Sequence, residues 1–401
     1  MSDVIEYFRK YIHIPTPSNE ESGCKPSSEC QKALAQVLCD DMAALGMKDV
    51  KNQGDGYAYG RIPANAEGQP VIGLIAHLDV VDNEPCDPMN ERIVHFDGSP
   101  IEVGNGVVLD KETYPAMNDW VGKDVIVTDG KTILGADDKA GVAEIMAACK
   151  FLLAHPEIPH GEVTVCFTPD EEIGGGADDL DLGFFGADFA YTLDGGKLGE
   201  VEYENFNASS AKVSFTGVSI HPGSSKNRMK NAALMAVEFA SLLPEAEIPA
   251  HTEGYEGFYH LGHVSGCVEN AVLGYILRDH DINKLRAKED FLRQCASFIN
   301  AKYGEGSCEV SVRESYLNMK DVIAPHPEIL KRADDAFAAC GITSVHPPVR
   351  GGTDGARLSY RGLLCPNLST GSINHHGRSE CACVQDMETM VDVVVKLVTA
   401  R

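Results

Sequence analysis

The chain alternates short, unbroken apolar runs with longer stretches whose apolar residues return every three or four positions. "VIGLIA" (71–76) and "VTVCFT" (163–168) are apolar and rich in β-branched residues, the pattern of strands buried on both faces of a mostly parallel sheet. Between them, Val142, Ile145, Met146, Cys149, Leu152 and Leu153 fall at helical spacing and predict a helix over 138–154. "SSECQKALAQVLCDDMAALG" predicts another, opened by serine and closed by Gly46. Strand and helix alternate in this way to about residue 205, the grammar of an α/β domain.

Beyond 208 the order changes. "AKVSFTGVS" reads as a strand, "NRMKNAALMAVEFASLL" as a helix, and "GFYHLGHVSG" and "NAVLGYILRD" as two strands. The helix "INKLRAKEDFLRQCASFINAKYG" and the strand "CEVSVRESYL" complete a βαββαβ series, the order of a ferredoxin-like unit. "HPEILKRADDAFAACG" then resumes helix–strand alternation. The expected organisation is an α/β catalytic domain in two parts, 1–207 and 319–401, with an α+β domain inserted at 208–318.

Composition narrows the function. Sixty acidic residues against 34 basic ones give a net charge of −26, which argues against a nucleic-acid partner, because such binding needs cations to displace counterions. No apolar run approaches the ~18 residues of a membrane span. The opening segment, "MSDVIEYFRKYIHIP", carries charges and no secretion-type apolar core. Thirteen cysteines occur without a C-x-x-C pair, and several lie in apolar segments, where a thiol behaves as a small hydrophobe. A cytoplasmic protein is expected.

The unusual polar residues cluster where the strands end. In parallel α/β sheets, ligands bind beyond the carboxyl ends of the strands. "VIGLIA" runs into His77-Leu78-Asp79, "TILGADDKAG" puts Asp137 and Asp138 at the mouth of a helix, and "VTVCFT" runs into Asp170-Glu171-Glu172. "DFAYTLDGG" ends in Asp194, and "PNLSTGSINHHGRSE" supplies His375 and His376. Taken singly, each has an ordinary alternative as a solvated loop charge, a helix-terminal acid or a turn residue. Together they are imidazole and carboxylate donors without a thiolate, a set that suits zinc, cobalt or manganese. Two divalent ions ~4 Å apart need a bridging carboxylate, which would explain acids crowded this closely. A phosphate-binding alternative fails at "GADDKAG", which presents acids where phosphate would sit.

With "TDGKTILGADDKAGVAEIM", "FTPDEEIGGGA", "YTLDGG", "GEVEYENFNA", "EGYEGFYHL", "RGGTDGA" and "CPNLSTG", the chain resembles the dinuclear-zinc exopeptidases of the M20 family from end to end. The resemblance implies a mixed, mostly parallel sheet flanked by helices, with an inserted ferredoxin-like lid. It implies two Zn2+ per chain, with Co2+ or Mn2+ as substitutes: His77 and Asp194 on one, Glu172 and His376 on the other, and Asp137 bridging them. Glu171 would be the general base and Asp79 the carboxylate that orients His77. A cis peptide bond after Asp137 is also implied. On the lid, His221 would polarise the scissile carbonyl and Arg278 would grip the substrate carboxylate. "RGGTDGA" would form pocket wall, with Arg350 a further substrate contact. The expected activity is removal of the N-terminal residue from short peptides, chiefly tripeptides, by a cytoplasmic metallo-aminopeptidase. The alternative is another M20-type dipeptidase, carboxypeptidase or N-deacylase with the same metals. Dimerisation through the lid is common in the family. The chain departs from it at His375, where the family carries tyrosine, so either neighbouring histidine could serve as the ligand. His376, directly before Gly377, fits the motif.

Overall fold

The structure, a computed structural model, describes residues 2–52 and 54–400. The chain divides into two compact units, one formed by residues 1–203, 321–347 and 353–401, the other by 204–320 and 348–352.

The first unit is built on a seven-stranded sheet in the order Lys48–Asn52, Ala58–Ile62, Val163–Thr168, Ile72–His77, Phe189–Gly195, Asn367–Ser369, Val201–Glu202. Its four central strands are parallel and the outer pairings antiparallel. The two apolar runs singled out above are neighbours, with Ile72 opposite Val163 and His77 opposite Thr168. Their alternate residues enter different cores, since side chains leave a strand on opposite faces. Leu74, Ala76, Val165 and Phe167 pack among the helices Asp3–Ile12, Glu29–Leu45, Ala136–Ala154, Pro327–Ala339 and Val384–Val398. Ile75 and Cys166 pack on the other side with Phe185, Leu358 and Leu363. Burial on both faces is why these strands show no polar alternation.

A four-stranded sheet of Ser372–Ile373, Cys381–Cys383, Lys123–Val127 and Arg92–Phe96 also belongs to this unit. Sequence periodicity does not reveal it, because strands of two to five residues are too short to establish a period.

The second unit contains an antiparallel sheet in the order Phe258–Gly266, Asn270–Asp279, Asn207–Thr216, Cys308–Tyr316. Helices Ala232–Ser241 and Ile282–Tyr303 bury Met235, Phe239, Leu285, Leu292 and Ile299 against Val213, Phe215, Leu273 and Leu277. Topology and strand order are ferredoxin-like. The first of these helices begins at Ala232, five residues after the start expected from "NRMKN". Asn227 has φ 60°, which a helix does not tolerate, and Asn231 caps the helix by accepting the amide of Leu234 at 3.2 Å. Residues 348–352, read from sequence as part of the outer domain, pack with the second unit instead. No helix among the described residues is long and apolar enough to cross a membrane.

Candidate metal centre

Three central strands of the first unit deliver side chains to one place. His77 is the last residue of its strand, Asp194 lies one residue from the end of its own, and Asp170–Glu172 follow Thr168 after a single proline, Pro169. Asp137 arrives from the mouth of Ala136–Ala154, where Asp137 and Asp138 have non-helical dihedrals and are joined by a cis peptide bond. Gly141 lets this helix approach the Asp194 strand: a Cβ there would lie 1.9 Å from the carbonyl oxygen of Leu193.

Two donor sets result, and they share one residue. His77, Asp137 and Asp194 form the first, Asp137, Glu172 and His376 the second, each with its donor atoms within 4.8 Å of one another. His77 Nε2 is 2.9 Å from Asp137 Oδ1 and 3.3 Å from Asp194 Oδ1. His376 Nε2 is 3.1 Å from both Asp137 Oδ2 and Glu172 Oε2. His375 also approaches Asp137, with Nδ1 at 3.4 Å, but its Nε2 pairs with Ser372 Oγ at 2.8 Å. The geometry therefore separates the two histidines: His376 completes a donor set, and His375 is tied to its own loop.

The donor set fits divalent cations. Glu172 Oε1 is buried without a hydrogen-bond partner, an orphan acceptor that a cation would satisfy. Burial and then the Asp194 charge push the Glu171 carboxyl well above its ordinary range, and burial with Asp137 raises Glu172 to about 7. Bonds to Asp137 and Glu172 lift His376 to about 11. For His77, burial acts downward, but Asp194 and Asp137 carry it well above the usual imidazole value. Asp137 departs from this pattern: although burial acts upward, His375, His376 and His77 hold its carboxyl well below the ordinary range. Raised acids and raised histidines around it describe a cluster short of positive charge, which a bound hard or borderline cation would correct.

Other carboxylates hold the backbone around these donors. Asp79 faces His77, with Oδ1 3.4 Å from Nδ1, but the ring nitrogen lies closer, at 3.1 Å, to the backbone oxygen of Asp79. The Asp79 carboxylate also accepts the amides of Glu171 at 3.0 Å and Glu172 at 3.2 Å, so it steadies two strand-end loops at once. Asp138 accepts the amide of His77 at 3.1 Å. Asp170 accepts the amide of Ser27 at 2.8 Å and a hydrogen bond from Nε2 of Gln31 at 2.7 Å, anchoring the acidic loop to the start of Glu29–Leu45. Asn367 accepts the amide of Asp194 at 3.0 Å. Sequence reasoning missed Asp354, a buried acid bonded to Thr168 Oγ1 at 2.9 Å and raised to about 7 chiefly by burial. Its position at a helix start in "RGGTDGA" gave no signal beyond an ordinary helix-terminal acid.

The remaining candidates lie in the second unit. His221 is exposed, with Nδ1 accepting the amide of Gly223 at 3.2 Å. Arg278 donates one Nη to the carbonyl of Arg350 at 2.8 Å, while its Nε is buried and unpartnered. Arg350 uses both amino groups on the 252–256 loop, donating to Gly254 O at 2.7 Å, Glu256 O at 3.0 Å and Thr252 Oγ1 at 3.0 Å. Its guanidinium lies 5.0 Å from the centre of the Phe206 ring. These contacts make Arg350 a brace for that loop.

The family model described as peptidase family M20/M25/M40 matches residues 118–400. A protein named Peptidase T from Parabacteroides distasonis is 44% identical over 398 residues, 98% of this chain and 98% of its own. The crystal structure of aminopeptidase PepT from Bacillus cereus superposes with a TM-score of 0.76 at 22% identity, covering 99% of this chain and 97% of that one. A Bacillus subtilis protein described as a dinuclear metal binding peptidase from the M20 family gives 0.65 at 15% identity, with 98% and 96% covered.

Proposed function

The chain belongs to the peptidase family M20/M25/M40, and from that premise we propose that it is a two-metal aminopeptidase releasing the N-terminal residue of short peptides, tripeptides above all. The observation that carries this reading is the pair of donor sets sharing Asp137, with Glu171 outside both but interacting electrostatically with Asp194, His77 and Glu172. The Peptidase T relative, similar over nearly the full length of both chains, supports the substrate class.

A pair of divalent ions, when bound, supplies Lewis acidity to the scissile carbonyl and lowers the pKa of water. His77 and Asp194 would hold one ion, Glu172 and His376 the other, and Asp137 both. The donor chemistry favours zinc, with cobalt or manganese as substitutes. Glu171 takes the proton of the attacking water as the new C–O bond forms, then delivers it to the amine that departs when the peptide C–N bond breaks. Asp79 keeps Glu171 in place through the amide it accepts. Arg278 is assigned to the substrate's terminal carboxylate, a role its unpartnered Nε supports. His221, exposed, is assigned to the substrate carbonyl. Thirteen cysteines, all free, support a reducing cytoplasmic setting. Phe258–Gly266, an exposed strand at a sheet edge, supports a homodimer through the second unit.

The test is a panel of di-, tri- and tetrapeptides, free and N-acetylated, assayed on metal-stripped protein and after reloading with zinc or cobalt. Metal-dependent release of the first residue, fastest from tripeptides and absent from acetylated ones, is expected. Preferential cleavage of acetylated or C-terminal residues would replace the aminopeptidase reading with that of a deacylase or carboxypeptidase.

A further inference from the structure

Glu380 has no ligand atom in either donor set, yet it touches the backbone of one ligand and is near in sequence to another. Its side chain is almost completely buried, at 2% exposure. Oε2 accepts the amides of Leu134 at 2.8 Å and Gly135 at 2.7 Å, and Oε1 accepts the amide of Asp137 at 2.9 Å. These three donors belong to the turn that presents Asp137. The backbone of Glu380 meanwhile closes the turn that presents His376, its amide bonding to Gly377 O at 3.0 Å. The next residue, Cys381, opens a strand paired on both sides with Ser372–Ile373 and Lys123–Val127, which fixes where Glu380 stands.

We propose that Glu380 is a positioning residue for the metal centre, holding the bridging ligand Asp137 and the terminal ligand His376 in a common frame. The inference rests on the two-metal reading above. The chemistry requires a carboxylate specifically. Three N–H groups converge on two oxygens, and charge-assisted bonds of this kind are about twice as strong as neutral ones. A glutamine offers one acceptor oxygen and turns an NH2 toward the remaining donors, so it must release one side of the turn. Because Asp137 serves both donor sets, displacement of its backbone should weaken both ions together.

The experiment compares zinc binding by wild type and Glu380→Gln, stripped with chelator and titrated against a fluorescent zinc indicator, with Tm recorded at fixed free zinc. The expected result is a fall in both zinc affinities of about ten- to a hundredfold, the usual effect of removing a group that orients a metal ligand. The rise in Tm on adding zinc should shrink in step, since that rise follows from affinity. The apoprotein should keep a cooperative thermal transition. In cobalt-loaded protein, the visible absorption bands should shift, reporting altered ligand geometry. If Glu380→Gln lowers the apoprotein Tm but keeps wild-type zinc affinities and an unchanged zinc increment, Glu380 is a structural group only and the proposal is overturned. Glu380→Asp, which keeps the charge but shortens the reach, provides the same readouts should the glutamine variant not fold. Failure of the wild-type chain to bind zinc would instead remove the two-metal reading itself.

Discussion

Nε2 of His77 lies 2.9 Å from Oδ1 of Asp137, while the other oxygen of that carboxylate faces His376 at 3.1 Å. One side chain thus stands between two histidines drawn from opposite ends of the chain. Asp137→Ala should therefore lose both ions and not one. Elemental analysis after dialysis against buffered zinc should find close to none per chain, and retention of a single tight ion would show that the sites are independent.

Glu171 belongs to neither donor set, so its effect should fall on turnover. Glu171→Gln should bind zinc like wild type while kcat falls by about 10²–10⁴-fold, the range for loss of a general base. Metal content and steady-state rates measured on the same preparation check this. Wild-type turnover would take Glu171 out of the base role.

The two adjacent histidines should separate cleanly. His376→Ala should lose the ion held with Glu172 and keep the one held by His77 and Asp194, whereas His375→Ala should keep both. Zinc stoichiometry distinguishes the pair, and the reverse pattern would make His375 the ligand.

Asp170 joins the acidic loop to Ser27 and Gln31 through buried bonds. Asp170→Asn leaves only one acceptor oxygen for those donors and should destabilise the fold by about 1–3 kcal/mol, the cost of an unsatisfied buried polar group. Denaturant unfolding measures the loss, and zinc stoichiometry should stay at the wild-type value.

Glu144 is fully buried in Ala136–Ala154, and neither carboxylate oxygen has a hydrogen-bond partner. Burial, and then the charge of Asp386, pushes its pKa well above the ordinary 4.5. The folded chain retains a proton that the unfolded chain releases, so the contribution of protonated Glu144 is complete below pH 4.5 and is lost as pH rises toward the folded value. Glu144→Gln removes that dependence. Its Tm relative to wild type should climb as pH rises above 4.5, and a difference that stays flat with pH would place the ionised form in a better environment than this structure gives it.

The strand-end candidates were legible because a largely apolar run that stops at an imidazole or a carboxylate stands out, and His77, the Asp170–Glu172 cluster and Asp194 each stand at such a stop. The ferredoxin-like unit was legible through its order of elements. Other features leave no such trace. An acid that accepts backbone amides, as Asp79, Asp170 and Glu380 do, has the same local sequence appearance as one that faces water, because its partners lie far along the chain. The second role of Asp79 could not be read from "HLD" for this reason. The late start of Ala232–Ser241 was hidden because apolar spacing in "MKNAALMAVEF" does not report the left-handed residue at Asn227.

The order of the strands also constrains how the molecule is assembled during synthesis. The sheet of the second unit is contiguous, running from Asn207 to Tyr316, so a growing polypeptide possesses all of it before the remainder has been translated. The seven-stranded sheet is interrupted: Asn367–Ser369 must slot between Phe189–Gly195 and Val201–Glu202. Until that late strand emerges, the nascent chain has a gap in its largest sheet and lacks His376 altogether. The second donor set is therefore incomplete until both that strand and the loop after it have been made.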